Sequence, residues 1–351
     1  MAWLTQDVSP AALAAFDALI DVRSPAEFAE DHLPGAVNMP VLDDAERARV
    51  GTLYVQKSKF EARRLGAAMV ARNIAAHLDG ALSDQPGGFR PLVYCWRGGQ
   101  RSGAMVSVMD QVGWPVTQLE GGYQTWRRHV VARLHDPARA PRVILLDGPT
   151  GAGKTALLGA LSARGVQTLD LEDLANHRGS LFGAGAEPQP GQKLFESRLT
   201  AALAACDPDR PVVVEAESSR IGRLIIPHGL WSAMKAAPAI TLDVPVAARV
   251  RRTVEEYADI ARDLSRLQDA IAALPAHHSR EARAAWLAQA RAGEAAALAE
   301  GLIRDHYDPA YRRSTARSAR NSLGQVPWDG TGTAMADAVA AVARLVEARD
   351  N

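Results

Sequence analysis

PRVILLDGPTGAGKTALLGAL, residues 141–161, decides how the second half of the chain folds. VILLD is a short apolar run of strand type, and ALLGAL is a run of helix formers. Between them GPTGAGKT (Gly148–Thr155) satisfies G-x-x-x-x-G-K-[ST], a loop whose backbone N–H groups wrap phosphate oxygens at a helix N-terminus. Gly148, Gly151 and Gly153 let the backbone approach a polyphosphate. Lys154 reaches the oxygens, and Thr155 is placed to hold a metal ion, expected to be Mg2+. An acidic partner belongs at the end of a neighbouring buried strand. PVVVEAES offers Glu215 and Glu217, and either could instead cap a helix. The loop specifies a polyphosphate without specifying which; ATP is one candidate.

The chain has 351 residues, enough for about two domains. Hydrophobic residues make up 47% and charged residues 23%, the balance of an ordinary globular protein. Formal net charge is zero, so bulk electrostatics calls for no nucleic-acid partner and leaves only local basic patches. With 2 cysteines a disulfide framework is excluded and a reducing compartment is indicated. The start, MAWLTQDVSP, lacks a basic and an apolar region, and no apolar run approaches the ~18 residues of a membrane helix. The expectation is a cytoplasmic protein with no membrane partner.

LHDPARAP (Leu134–Pro141) breaks the chain with two prolines, dividing it into residues 1–137 and 138–351. Before it, FDALIDVRS, PGAVNMP and PLVYC read as strands, alternating with helical PAEFAEDH, RRLGAAMVARNIAAHLDG and SGAMVSVMD. That alternation predicts a parallel α/β sheet. After it, VILLD, PVVVEAES and APAITLDVP read as strands of a second α/β sheet. Residues 247–303 are alanine- and arginine-rich and predict long amphipathic helices inserted in this domain. AMADAVAAVARLVEARD reads as a terminal helix closing it.

YCWRGGQRSG (Tyr94–Gly103) places the first cysteine between a buried strand and a helix. Backbone N–H groups of Gly98 and Gly99 converge above Cys95, and such a nest at a helix N-terminus favours negative charge. Arg97 and Arg101 strengthen that bias, so the Cys95 thiol should ionise easily. The competing reading is a buried structural cysteine, which needs neither the glycines nor the arginines. Cys206, in AACDPDR, has no such neighbours and reads as structural.

DVRSPAEFAEDHLPGAVNMP (Asp21–Pro40) and CWRGGQRS (Cys95–Ser102) resemble the two signature stretches of rhodanese domains. The resemblance implies that Asp21 and Arg23 support the cysteine loop, and that Cys95 accepts sulfur or a relative of sulfur. From Cys95 to Arg101 the spacing is Cys-x5-Arg, one residue longer than in an ordinary sulfur-transferring rhodanese. A longer loop has room for a tetrahedral oxyanion, with Arg101 clamping its oxygens. Selenophosphate or thiophosphate would fit. Hydrolysis would require a placed general acid, and the sequence identifies none.

Three further stretches, DLEDLANHRGSLFG (Asp170–Gly183), ESSRIGRLIIP (Glu217–Pro227) and HYDPAYRRS (His306–Ser314), extend the likeness. Over nearly its whole length the chain resembles the tRNA 2-selenouridine synthase family. The resemblance implies replacement of sulfur by selenium in the wobble 2-thiouridine of tRNA. Sulfur is first geranylated from geranyl diphosphate, and selenium from selenophosphate then displaces the geranylthio group. It makes tRNA the partner and the P-loop a diphosphate site. It also suggests His177 and Arg178 as acceptor-binding groups, and Arg249, Arg252, Arg312 and Arg313 as contacts to tRNA phosphates. Such charge runs are as often solvated faces. Trp96 can stack on a base or pack internally. The alternative function is a sulfurtransferase or cysteine phosphatase fused to an ATP-dependent small-molecule kinase. A non-catalytic docking module is disfavoured by the intact Cys95 loop.

Overall fold

The computed structural model describes residues 2–180, 182–183, 187–317 and 320–350. Leu181 of the stretch Asp170–Gly183, and Ser318 and Ala319 of the basic stretch after Arg312, lie outside the described residues. The chain divides into two compact units, residues 1–133 with 191–205, and residues 134–190 with 206–351.

The first unit holds β1 (Trp3–Thr5), β2 (Ala18–Asp21), β3 (Ala36–Asn38), β4 (Pro91–Tyr94) and β5 (Thr117–Leu119). They form a parallel sheet in the order β1-β5-β4-β2-β3. Parallel neighbours need crossovers, and the helices Lys59–Asp79 and Gln100–Val112 supply two of them. PLVY is buried at all four positions, as a strand covered on both faces must be. Val93 of this strand packs with Ile20, Met105, Met109 and Trp114. Cys95 therefore leaves the middle strand of the sheet, and Asp21 ends the adjacent strand in register with Tyr94.

The sequence division at residue 137 leaves the helix Gln192–Ala204 in the second half, whereas its packing is with the first unit. Buried Trp126 donates its indole N–H to Ser197 Oγ at 2.9 Å, and Arg127 pairs with Glu196. A tryptophan N–H buried without a partner is costly, so this contact fixes the helix in place.

The second unit holds β6 (Val143–Asp147), β7 (Thr168–Leu169), β8 (Val212–Glu215), the hairpin pair β9 (Arg220–Ile221) and β10 (Leu224–Ile225), β11 (Ala239–Asp243) and β12 (Ser322–Pro327). The main sheet is parallel, in the order β12-β11-β6-β8-β7. The chain leaves β6 toward β7 and β8 and later returns to the other side, so the end of β6 is a topological switch point. The glycine loop sits there, with the helix Lys154–Ser162 behind it. As expected, the terminal helix Gly332–Asp350 closes this unit through Ala338, Val339, Val342 and Val346.

The long helices expected over 247–303 are instead five short ones: Val246–Glu256, Ala258–Ala261, Leu264–Ala272, Arg280–Ala292 and Ala295–Leu302. Caps embedded in the alanine-rich run break it. Asp263 and Ser279 accept from the N–H groups of Arg266 and Ala282, and Gly293 ends its helix at φ 71°. The apolar faces of the last four meet in one cluster around Ile271, Leu274, Trp286, Leu298 and Leu302, while Val250 of the first packs with Ala299 and Ile303. No helix among the described residues is long and apolar enough to cross a membrane.

Trp126→Phe keeps most of the apolar ring but removes the donor to Ser197. It is expected to destabilise the first unit by about 1–3 kcal/mol, read as a lower urea midpoint. An unchanged midpoint would show that the Trp126–Ser197 contact contributes nothing to stability.

Candidate active sites

The Cys95 loop is built by close backbone approach. Gly98 and Gly122 have φ of 65° and 57°. A Cβ on Gly122 would stand 2.2 Å from the Cys95 carbonyl oxygen and 2.5 Å from Gly98 N, so two glycine backbones touch. Tyr123 N donates to the Cys95 carbonyl at 2.8 Å. Gln118 Nε2 donates to Gly98 O at 2.7 Å and to Ser102 Oγ at 2.9 Å, and Ser102 Oγ donates in turn to Cys95 Sγ at 3.2 Å. Cys95 itself is 3% exposed. Burial pushes its thiol up, but the Ser102 hydroxyl and N–H, the Arg101 charge and the Arg97 N–H together bring it below its ordinary value.

Asp21 and Arg23 lie behind this loop. Arg23 is fully buried, bonds Asp21 Oδ2 at 2.6 Å and the Asp31 carbonyl at 2.6 Å, and lies 4.2 Å from the centre of the Tyr123 ring. A cation this dry requires its partner; breaking such a pair costs about 3–5 kcal/mol. Arg97 is exposed and Trp96 rests on Tyr123 with centroids 5.2 Å apart.

The Arg101 guanidinium is held bidentately by Glu27, at 2.6 and 3.3 Å. The capping box at Ser24 aims Glu27 this way: Glu27 sits at the third helical position and accepts the Ser24 N–H at 3.2 Å. Arg101 thus acts on the thiolate through its charge, and an incoming oxyanion must compete with Glu27 for its N–H groups.

At the second site Gly151 and Gly153 both have φ near 77°, at 78° and 76°. Lys154 Nζ donates to Gly148 O at 3.1 Å, folded back across the loop. Gly148, Gly151, Gly153, Lys154 and Thr155 line a cavity of ≈ 420 Å³, joined by Glu172, Arg178, Glu217, Tyr257, His306 and Tyr311. Of the two acidic candidates, Glu217 faces this cavity and Glu215 does not. Glu215 is 1% exposed and caps the short helix Leu171–Leu174, its Oε1 accepting from the N–H groups of Leu171 and Glu172 at 2.6 and 2.9 Å. Burial, then Asp170 and Glu217, push its carboxyl far up, which suits a neutral cap better than a metal ligand.

Glu172 is a residue that sequence reading missed. It accepts from Thr155 Oγ1 at 3.1 Å and lies beside Glu217 under Gly179. Gly179 has φ 65°, and a Cβ there would stand 2.3 Å from a Glu172 oxygen and within 3.1 Å of both Glu217 oxygens. Burial, then Glu217, raise the Glu172 pKa to about 8 against the opposing pull of Lys154. Burial raises Glu217 too. Two carboxylates and a hydroxyl converging in a partly dry site carry one negative charge too many, the condition a hard divalent cation relieves. Thr155, Glu172 and Glu217 fit Mg2+.

The basic candidates separate cleanly. Arg249 is 3% exposed; it donates Nε to Thr150 O at 2.8 Å and grips Asp308 at 2.5 and 3.1 Å. Arg252 is stacked 4.8 Å from the Trp328 ring and donates to Gly330 O at 3.3 Å. Neither is presented to tRNA phosphates; both brace the glycine loop from behind. Arg312 and Arg313 are exposed, as a phosphate contact requires. Arg178 lines the cavity while paired with Asp259 at 2.9 Å, and His177 stands behind it against Gly222.

A second, apolar cavity of ≈ 80 Å³ adjoins the loop, several times the ~10–15 Å³ one water needs. Ile260, Leu267, Leu298, Leu302 and Ile303 line it, and it shares Thr150, Ser180, Tyr257 and Tyr307 with the phosphate-loop cavity. No sequence motif announced it.

Residues 5–129 match the family model of the rhodanese-like domain, and residues 141–279 that of the tRNA 2-selenouridine synthase AAA domain. The chain is 35% identical over 350 residues to a protein of Verminephrobacter eiseniae (strain EF01-2) called tRNA 2-selenouridine synthase, covering 89% of this chain and 92% of the relative. A relative of that name from Cupriavidus pinatubonensis is 35% identical over 327 residues, with 84% and 87% covered. The chain belongs to the tRNA 2-selenouridine synthase family. A third member, from Nitrosomonas europaea, is 36% identical over 247 residues; 68% of this chain and 63% of that relative are matched. The rhodanese-like match contains Cys95, and the AAA-domain match contains Lys154.

Two titrations follow from these geometries. Alkylation of Cys95 by iodoacetamide should reach half its maximal rate at a pH below the ordinary thiol value. Ser102→Ala should move that midpoint up, by loss of the donor; an unmoved midpoint would remove Ser102 from the account. For Glu172 the unfolded chain holds fewer protons than the folded chain between the ordinary value of 4.5 and about 8. Without divalent cations stability should therefore fall as pH rises through that window. Mg2+ should restore it near pH 8, and Glu172→Gln should flatten the profile; a flat wild-type profile would contradict the reading.

Proposed function

We propose that this chain replaces sulfur by selenium at carbon 2 of the wobble 2-thiouridine of tRNA, in the cytoplasm, by S-geranylation followed by selenation. The observation that carries the reading is the adjacency of the phosphate loop to an apolar cavity through Thr150, Ser180, Tyr257 and Tyr307. Geranyl diphosphate has that same two-part chemistry, an anionic head and a branched hydrocarbon tail. ATP offers no comparable apolar tail.

In the first step the loop N–H groups and Lys154 hold the diphosphate, and the apolar cavity keeps water from the prenyl carbon. The thiouridine sulfur bonds to that carbon as its bond to oxygen breaks, and diphosphate leaves with the electron pair. Mg2+ held by Thr155, Glu172 and Glu217 would supply charge neutralisation to that leaving group. In the second step selenium from selenophosphate adds at carbon 2, and the geranylthio group leaves as a thiol, a better leaving group than a bare thiocarbonyl sulfur. Cys95, with its lowered pKa, serves this step as nucleophile toward the phosphorus of selenophosphate. An S–P bond forms as the P–Se bond breaks, the freed selenide adds at carbon 2, and water then returns the phosphoryl group as phosphate and the proton-bearing thiol. Arg97 and Arg101 supply charge to the incoming oxyanion, and exposed Arg312 and Arg313 are the remaining candidates for tRNA phosphates.

Cys95→Ala should abolish selenium incorporation and leave geranylation largely intact, because the two sites lie in different units. Lys154→Ala removes a charge-assisted hydrogen bond worth ~1.5–3 kcal/mol, so geranylation should fall roughly 10–100-fold while pre-geranylated tRNA is still selenated. Both products are read by mass spectrometry of digested nucleosides. Equal loss of both products in Cys95→Ala would mean that Cys95 supports a shared site instead, and ATP hydrolysis stoichiometric with product would overturn the diphosphate assignment in favour of a kinase-like second site.

A further inference from the structure

Three histidines converge in the second unit, outside the phosphate-loop motif. His277 and His278 stand in the turn between the helices Leu264–Ala272 and Arg280–Ala292, and His306 lies in a π-helical turn, Ile303–Tyr307. One ring nitrogen from each lies within 4.8 Å of the other two. His278 Nε2 and His306 Nδ1 are 3.0 Å apart, and the rings of His277 and His278 are 4.2 Å apart between centroids. We propose that His277, His278 and His306 form a binding site for a divalent borderline metal ion of the Zn2+ class, with its fourth position turned toward the phosphate-loop cavity.

Distance and donor chemistry both favour this ion. Zinc–imidazole bonds of 2.0–2.1 Å put tetrahedral nitrogens about 3.3 Å apart. The His278–His306 pair already meets that spacing, and the third ligand closes by a modest rotation of an exposed side chain. Imidazole suits Zn2+, Ni2+ and Co2+, whereas Mg2+ prefers oxygen, so this site and the one at Thr155 select different ions.

The surroundings are built rather than incidental. Buried Trp286 meets the His278 ring edge-on at 5.1 Å. Arg283 staples the preceding turn through four carbonyls, those of Ile271, Ala272, Leu274 and Pro275, at 2.6–3.2 Å. Single π turns recur at functional sites because they shift the facing of consecutive side chains. Here the turn puts His306 into both the histidine cluster and the wall of the phosphate-loop cavity. Three neutral imidazoles leave the ion its full charge and one open position, the ligand count of a catalytic rather than a structural zinc site. Water or a soft sulfur donor would take that position.

The test is titration of the purified full-length chain, stripped with chelator, using Zn2+ for affinity and Co2+ for its visible ligand-field bands. The expected result is one Zn2+ per chain, intense Co2+ bands of tetrahedral type, and displacement of Co2+ by Zn2+. His277→Ala, at an exposed position that should not disturb folding, is expected to weaken Zn2+ by at least about 100-fold, beyond what loss of an outer-shell partner costs. His306→Ala should do the same with an unchanged circular dichroism spectrum, and Lys154→Ala should bind Zn2+ like the native chain. Absence of stoichiometric Zn2+, octahedral-type Co2+ spectra, or native affinity in His277→Ala would each overturn the site. Because the readouts are binding and spectra, they are independent of whether the geranyl diphosphate reading is right.

Discussion

Arg249 is the contact on which the second unit depends. Its Nε reaches back to the Thr150 carbonyl inside the glycine loop, while its two terminal nitrogens grip Asp308 at the start of the helix Asp308–Arg317. One buried guanidinium thereby ties together the loop, its own helix Val246–Glu256 and the element that follows the π turn. A charge with so little exposure is tolerable only because both carboxylate oxygens and a carbonyl satisfy it. The consequence is geometric. Thr150 is held where it forms part of the wall of two cavities, one lined by backbone N–H groups and carboxylates, the other by aliphatic side chains.

The first unit solves a related problem with glycine instead of charge. A thiolate needs N–H groups aimed at it, and the Cys95 loop can turn inward only because Gly98 and Gly122 lie against each other without side chains. Gln118 and Ser102 then direct hydrogen bonds along a line that ends on sulfur. Burial alone would keep the thiol neutral; these donors reverse the sign. In both units, then, a central parallel strand delivers the reactive loop, and the flanking elements decide its charge.

Much of this was legible in the residues. Strand–glycine-loop–helix patterns located both loops, because backbone geometry of that kind requires glycine at fixed offsets and a buried strand before it. Cys95 follows the strand Pro91–Tyr94, Lys154 begins the helix behind its glycine loop, and Asp21 and Arg23 are buried as a pair. What was not legible depends on contacts distant in sequence. Glu172 joins Thr155 and Glu217 only through the fold, and nothing local marks it apart from a capping carboxylate. Glu215 ends its strand and Glu217 lies two residues beyond it, where strand alternation no longer orders the side chains; one caps a helix and the other faces the cavity, and the sequence could not choose between them. Arg249 and Arg252 read as a basic surface run, yet Asp308 pairs with the buried Arg249 and Trp328 stacks on the half-buried Arg252. Arg101 is paired with Glu27, 74 positions away in the chain. The apolar cavity is assembled from five short helices whose caps are plain only once their breaks are seen.

Thr150 joins an anion site to a hydrocarbon site, the pairing on which the proposed recognition of a prenyl diphosphate by the second unit rests. The most direct measurement is calorimetric binding of geranyl diphosphate, inorganic diphosphate and ATP to the native chain in the presence of Mg2+. Each buried CH2 is worth about 0.8 kcal/mol, so even partial burial of the geranyl chain should make geranyl diphosphate bind at least ~100-fold tighter than inorganic diphosphate. ATP should compete weakly. Equal affinities for geranyl diphosphate and inorganic diphosphate, or tight binding of ATP, would contradict the claim.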